Sequence, residues 1–238
     1  MEIADFRSGE VIFINKPYTW TSFQVVNKMK HIIKPHPSLL LDGKKIQPKI
    51  GHAGTLDPLA TGLLIVCTGK QTKNIETYQA QEKEYTGTFY IGATTPCFDK
   101  EKEIDEYFPT AHITDQLIYD TTKQFIGIIQ QTPPLFSAIK INGKRAYDIA
   151  RAGETAEIKS KEITITEFEI TRIALPEVDF RVVCSKGTYI RSLARDFGLA
   201  LKSGGHLTAL CRTRIGSYKL ENAISLETFQ KAFGITDK

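Results

Sequence analysis

Asp57 is the residue of this chain best placed to do chemistry. It stands in GHAGTLDPLATGLLIVCTG, residues 51–69, where a loop rich in Gly, Thr and Pro runs into a continuous apolar segment. Pro58 confines the residue before it to extended backbone, and glycine lets another stretch of chain approach closely. A turn of this kind can aim an acid into a cleft. The apolar residues 63–67 read as a buried strand, a rigid element from which the loop can be positioned. Aspartate before proline is often no more than an Asx turn, so the surrounding sequence has to raise it above that reading.

The elements that must position it follow from hydrophobic period and capping signals. Residues 11–15 read as a short strand, and Thr21 with Gln24 offers a capping box for a helix to about Ile33. Residues 34–49, with three prolines and Gly43, are expected to be a loop. Tyr85, Gly87, Phe89 and Ile91 alternate with Thr86, Thr88 and Tyr90, the period of a half-buried strand, and Tyr85 lies at its beginning. Thr114 can cap a helix through about Phe125, and residues 144–152 suit another helix closed by Gly153. Residues 161–173 and 178–184 look like strands, with Gly187 ending their pairing. Residues 189–201 then read as an amphipathic helix with Arg191 in its first turn, and Ser225 can cap a last helix to Phe233. Strands and helices mix without a regular βαβ rhythm, which argues for α+β and against a doubly wound parallel sheet.

A length of 238 residues admits one large domain or two small ones. With 41% hydrophobic and 24% charged residues, the composition is that of an ordinary globular protein. No apolar run approaches the ~20 residues that span a bilayer, and the N-terminus lacks a signal-peptide pattern, so a cytoplasmic protein without membrane contacts is expected. Cys67, Cys97, Cys184 and Cys211 are scattered, with no C-x-x-C pair or nearby His to suggest zinc, and read as free thiols; no metal site is expected. The net charge of +4 says little, but its distribution says more. Lys28, Lys30, His31, Lys34, His36, Lys44, Lys45 and Lys49 are opposed only by Asp42, and Arg191, Arg195, Lys202, Arg212 and Arg214 form a second basic cluster. Such clusters suit phosphates, whose neutralisation dominates nucleic-acid affinity, although a charge run is also compatible with a merely solvated face.

Several motifs, in one order, resemble those of the TruB family of tRNA pseudouridine synthases. The Asp57 loop is similar to the family's catalytic motif. Asn15-Lys16-Pro17-Tyr18-Thr19-Trp20-Thr21-Ser22 looks like its opening segment, and Lys83-Glu84-Tyr85 like its tyrosine-bearing strand. Thr132-Pro133-Pro134-Leu135-Phe136-Ser137-Ala138-Ile139-Lys140 resembles its Pro-Pro segment. Cys184-Ser185-Lys186-Gly187-Thr188-Tyr189-Ile190-Arg191-Ser192 looks like its arginine motif, and Leu210-Cys211-Arg212-Thr213-Arg214-Ile215-Gly216 like its final core motif. Together these matches cover residues 11–216.

The resemblance implies the pseudouridine synthase fold, with a long, mainly antiparallel mixed sheet, flanking helices and a central active-site cleft, in a single catalytic domain over residues 1–238. Many bacterial members carry a C-terminal RNA-binding domain of the PUA type; some twenty residues follow Gly216, so that domain is expected to be absent. The implied activity is isomerisation of uridine 55 in the T loop of tRNA, with the tRNA T arm as partner, no cofactor, and a monomeric enzyme. Asp57 is the implied catalytic aspartate, and Arg191 the arginine that pairs with it. A guanidinium near a carboxylate is worth about 4 kcal/mol at an effective dielectric near 20, before desolvation. Tyr85 is the implied active-site tyrosine, whose ring can stack on uracil. His52 resembles the histidine that takes the place of the flipped base, and Leu210 an apolar wall of the uracil pocket. Lys16 and Pro17 resemble residues that support the catalytic loop.

Two other readings compete. A tRNA-binding and folding module would need no chemistry, and a pure binder has no use for an aspartate that repels phosphates. A carboxylate-based glycosidase usually needs a second positioned acid, and none stands out in the motifs. The basic segment 34–49 looks several residues longer than the family pattern and is expected to grip phosphates.

Overall fold

Residues 60–68 are apolar at almost every position because both faces of the strand they form are covered. Leu64 and Val66 lie in one buried cluster, and Leu63, Ile65 and Cys67 in another. Side chains alternate across a strand, so a strand lying between two apolar layers needs no polar face.

The computed structural model describes residues 4–137 and 158–234, together with the backbone of residues 140–141 and 144–145. The chain begins with β1 (Val11–Lys16), α1 (Ser22–Ile33), β2 (Leu40–Leu41), β3 (Lys44–Lys45), β4 (Ile50–Ala53), β5 (Ala60–Thr68) and α2 (Ile75–Ala80). It continues through β6 (Lys83–Ile91), β7 (Ala93–Thr94), β8 (Glu106–Tyr107), α3 (Asp115–Thr122) and β9 (Gly127–Gln131). Then follow β10 (Lys140–Ile141), β11 (Lys144–Arg145), β12 (Lys161–Ala174), β13 (Glu177–Cys184) and α4 (Ile190–Ala200). The last elements are β14 (Gly205–Ile215), β15 (Tyr218–Lys219) and α5 (Leu226–Phe233). Two compact units result: Met1–Lys83 with Cys211–Lys238, and Glu84–Leu210.

In the first unit β5 is central. It pairs antiparallel with β1 and with β4. One of its faces packs on Val25, Met29 and Ile33 of α1 and on Phe229 of α5. The other face meets Ile215, with Ile75 and Tyr78 of α2 beside it. α1 forms where its caps predict: the Thr21 hydroxyl accepts from Gln24 N at 3.1 Å, and Gln24 Oε1 accepts from Thr21 N at 2.7 Å.

In the second unit β12 pairs antiparallel with both β13 and β9. The core is aromatic: Phe89 stacks on Phe180 at 4.0 Å, and Phe168 and Phe197 meet at 5.4 Å. Such ring pairs add about 0.5–1.5 kcal/mol each beyond the area they bury. Phe197 sits on the apolar face of α4 and fixes that helix, with Arg191 at its start, on the sheet. Helices and mainly antiparallel strands in both units make the class α+β, as the sequence pattern implies.

Two expectations need correction. Residues 34–49 are not an unstructured loop: a 3₁₀ turn at Pro37–Leu39 leads into the β2–β3 hairpin. Dispersed prolines mask it, because each strand has only two residues. Lys144–Arg145 is a strand and not the start of a helix; the rest of the helix expected over 144–152 falls outside the described residues. The elements β4, β9, β14 and α2 gave no signal that was read from the sequence. No described helix is long and apolar enough to cross a membrane.

Gly62 shows how tightly β5 meets its neighbour. Its φ is +104°, and a Cβ there would lie 2.3 Å from the carbonyl oxygen of Arg212. Gly62→Ala is expected to cost about 3 kcal/mol through strain and overlap, lowering Tm by roughly 6–12 °C. Gly43→Asn, at a positive-φ position with nothing within 4 Å, should leave Tm nearly unchanged in the same thermal scan. Equal melting of both variants would refute the packing argument.

Candidate active site

The Asp57 loop joins β4 to β5, and its backbone is fixed from several sides. Gly54 near its start and Gly62 at its end have φ of +91° and +104°, conformations that favour glycine. Ala60 N donates to Asp57 O at 3.1 Å, closing a tight turn with Pro58 at its second position. Ser22, in the first turn of α1, donates to Leu56 O at 3.3 Å and accepts from Leu56 N at 2.9 Å. The Asp57 side chain itself is half-buried.

Two buried cations complete the frame. Arg212, 1% exposed, donates from Nε to Leu63 O at 2.8 Å and from Nη2 to Gly54 O at 3.1 Å, so that it ties the loop's start to β5. Lys16, 0% exposed, donates to Pro17 O at 2.9 Å, to Pro58 O at 3.2 Å and to Trp20 O. A single ammonium thereby joins the end of β1, the approach to α1 and the residue after Asp57. Burial pulls the Lys16 pKa down from 10.5 to about 8, the Asp57 carboxylate opposing and the Arg212 guanidinium assisting. That shift corresponds to about 3 kcal/mol against the charged form, on the scale that charge-assisted bonds to carbonyls can offset.

His52 sits on β4 within the same unit. Burial first, then Arg212, lowers its pKa, with a Gly54 backbone contact opposing. Its ring is therefore neutral at physiological pH. The Nδ1 atom is buried and has no hydrogen-bond partner among the described residues. Lys16, Pro17, His52 and Asp57 are thus brought into one unit, with Arg212 as the cation that acts on both Lys16 and His52.

Tyr85, Arg191 and Leu210 belong to the second unit. Tyr85 is buried near the start of β6, and Leu210 is half-buried on β14. Arg191 is buried in the first turn of α4: its Nη2 donates to Phe136 O at 2.9 Å, its Nη1 to Cys97 O at 3.3 Å, and its Nε lies 3.5 Å from an Asp99 carboxylate oxygen. The start of α4 is held by Gln131, whose amide accepts from Tyr189 N at 2.8 Å and donates to Tyr189 O at 3.1 Å.

Sequence reasoning missed four contributors: Ser22, Arg212, Asp99 and Gln131. Ser22 and Arg212 stood inside quoted motifs, but no local pattern marked the hydrogen bonds they make. Asp99 and Gln131 become visible only when distant segments meet, since Asp99 is 92 residues from Arg191 and Gln131 is 58 from Tyr189.

Comparison with known proteins gives the class and then the family. The description "TruB family pseudouridylate synthase (N terminal domain)" matches residues 43–190, and "tRNA pseudouridylate synthase B C-terminal domain" matches residues 191–238. The fold resembles a solved structure of a Cbf5-Nop10-Gar1 complex, with a TM-score of 0.70 and 30% identity over 95% of this chain and 55% of that one. The class is therefore that of the pseudouridine synthases, which are isomerases. The chain belongs to the TruB family. It is 61% identical to the tRNA pseudouridine synthase B of Flavobacterium johnsoniae, covering 96% of this chain and 97% of that protein. With the protein of the same name from Phocaeicola vulgatus the identity is 56%, over 94% and 93%. Its reaction is accordingly pseudouridine formation in tRNA.

The Lys16 site generates a pH prediction with a definite sign. Because its pKa in the folded chain is depressed, this group's contribution to stability is fully present above about 10.5 and lost as pH falls through about 8. Between pH 8 and pH 10, the stability of wild type relative to Lys16→Met should rise by about 2 kcal/mol in urea unfolding. Turnover should fall over the same interval, since a neutral amine has one donor fewer for the loop carbonyls. A stability difference that is flat with pH would remove Lys16 from this role.

Proposed function

We propose that Asp57 is the catalytic carboxylate in isomerisation of uridine 55 in the T loop of tRNA, acting on a flipped-out base. The observation that carries this reading is the framing of its loop. Gly54, Leu56, Pro58 and Leu63 are each bonded by Arg212, Ser22 or Lys16, while the Asp57 side chain remains half-buried. A reacting group held this way loses little freedom on the way to the transition state.

The reaction breaks the bond from uracil N1 to ribose C1′ and forms one from C5 to C1′. The C5 proton leaves to solvent and N1 regains a proton, so no oxidant, reductant or cofactor enters the balance. The carboxylate of Asp57 acts at the ribose or at the base while the uracil is loose. Extrusion of the base costs a few kcal/mol. Stacking on the Tyr85 ring is worth about 1–3 kcal/mol toward that cost. The neutral His52 ring, flat and able to hydrogen bond, takes the place the base leaves, and Leu210 supplies an apolar wall. Arg191 is the cation of the substrate site, its direction set by Asp99 and by two carbonyls. Lys16 and Pro17 support the loop.

The test uses T-arm RNA carrying tritium at uridine C5, with wild-type protein and Asp57→Ala. Release of tritium to water by wild type is expected, together with at least a ~10³-fold loss in the variant while RNA binding persists. Release by Asp57→Ala at the wild-type rate would overturn the assignment of Asp57. Release from other tRNA uridines but not from position 55 would overturn the choice of substrate position.

A further inference from the structure

Basic charge is unevenly distributed along this chain. Outside residues 21–56 several cations have carboxylate partners: Arg181 meets Glu84, Glu167 and Glu169, Arg172 meets Glu177 and Asp179, and Lys123 meets Asp120. Residues 21–56 hold six lysines and one carboxylate, Asp42, a surplus of five positive charges. That exceeds the +4 of the whole chain, so the remaining residues sum to one negative charge. Lys28, Lys34, Lys44, Lys45 and Lys49 are exposed and Lys30 is half-buried. No ion pair among the described residues engages any of the six.

Half of these lysines are carried at or beside a hairpin built to project. Asp42 and Gly43, with φ of +49° and +75°, form the two-residue turn whose twist suits paired strands. Leu40 pairs with Lys45 and Leu41 with Lys44, so each face of the hairpin presents one leucine and one lysine. The leucines are 45% and 46% exposed. So short a hairpin is not stable alone, and its base is anchored: Ile46 N donates to Leu39 O at 2.9 Å, and Leu39 is 1% exposed in the cluster that contains Phe6, Ile33 and Phe229. Beyond it, Lys49 O accepts from Gly69 N at 2.9 Å, tying that lysine to the end of β5. The cations therefore stand on ordered backbone, which reduces the entropy lost when they bind.

We infer that the β2–β3 hairpin and the lysines of α1 form a phosphate-binding surface for the body of the tRNA substrate, separate from the residues that handle the uridine. The inference rests on tRNA as the substrate. α1 is joined to the catalytic loop through Ser22 and Leu56 and is about 18 Å long. The hairpin consequently reaches RNA away from the reacting base, where contacts go to phosphate and sugar and carry affinity without sequence choice.

The experiment compares wild type, the triple variant Lys44→Ala/Lys45→Ala/Lys49→Ala, and Asp42→Asn. Binding to a full-length tRNA transcript is measured by filter retention from about 50 to 300 mM salt, with tritium release assayed on the same RNA. The triple variant should bind roughly tenfold more weakly at low salt, and its slope of log Kd against log salt should fall by about two to three, near one per lost phosphate contact. Asp42→Asn keeps a residue suited to the turn and removes the one opposing charge, so it should bind about twofold more tightly. An unchanged slope in the triple variant overturns the inference. If that variant melts early, Asp42→Asn decides, and binding no tighter than wild type overturns it. Loss of binding to phosphatidylserine vesicles with tRNA binding intact would overturn it in favour of a membrane. Failure of wild type to release tritium from the transcript, with the salt slopes as expected, would instead count against the catalytic reading.

Discussion

Two buried positive charges, Lys16 and Arg212, hold the Asp57 loop. Lys16 and Arg212 are almost wholly excluded from water, and their hydrogen bonds described above run to backbone carbonyls. A charge so placed is costly unless its donors are satisfied, so the carbonyl positions become as constrained as the cations themselves. A loop of ordinary polar residues would wander. One whose carbonyls complete the shells of two cations cannot move without exposing an unmet charge.

The same logic explains the packing about the loop. Arg212 reaches Leu63 O and Gly54 O only because β14 lies against β5 at Gly62, where any side chain would strike its backbone. Lys16 reaches Pro58 O because β1 ends beside the loop, in register with Gly62. The apolar layers on both faces of β5 make that register stiff: a slip of one residue would exchange the clusters that Leu64 and Val66 and Leu63 and Ile65 occupy. The second unit secures Arg191 by a different device, a buried ion pair with Asp99 and a helix start clamped by Gln131. Removal of one partner of a buried ion pair typically costs about 3–5 kcal/mol.

Legibility followed range. The capping boxes and periodic stretches were readable, so α1, α3, α4 and α5 begin within a residue or so of where Thr21, Thr114, Tyr189 and Ser225 place them. The loop about Asp57, with its Pro58 turn and flanking glycines, was readable for the same reason: its conformation is set by neighbours in the chain. The hairpin at Leu40–Lys45 was not, because two-residue strands have no period to detect. Nor were the functions of Ser22, Asp99, Gln131 and Arg212, each defined by a bond to a residue at least 34 positions away.

The sequence by itself determined the family, the α+β class and the helices α1, α3, α4 and α5, and it singled out Asp57 as the candidate carboxylate, since these depend on residue type, spacing and local backbone preference. Tertiary structure alone decided which cations hold the loop, that Asp99 lies beside Arg191, and that the basic segment contains a hairpin whose lysines make no ion pair among the described residues. Buried charges choose partners by distance after folding, when desolvation makes an unpaired one expensive. No pattern along the chain records that choice.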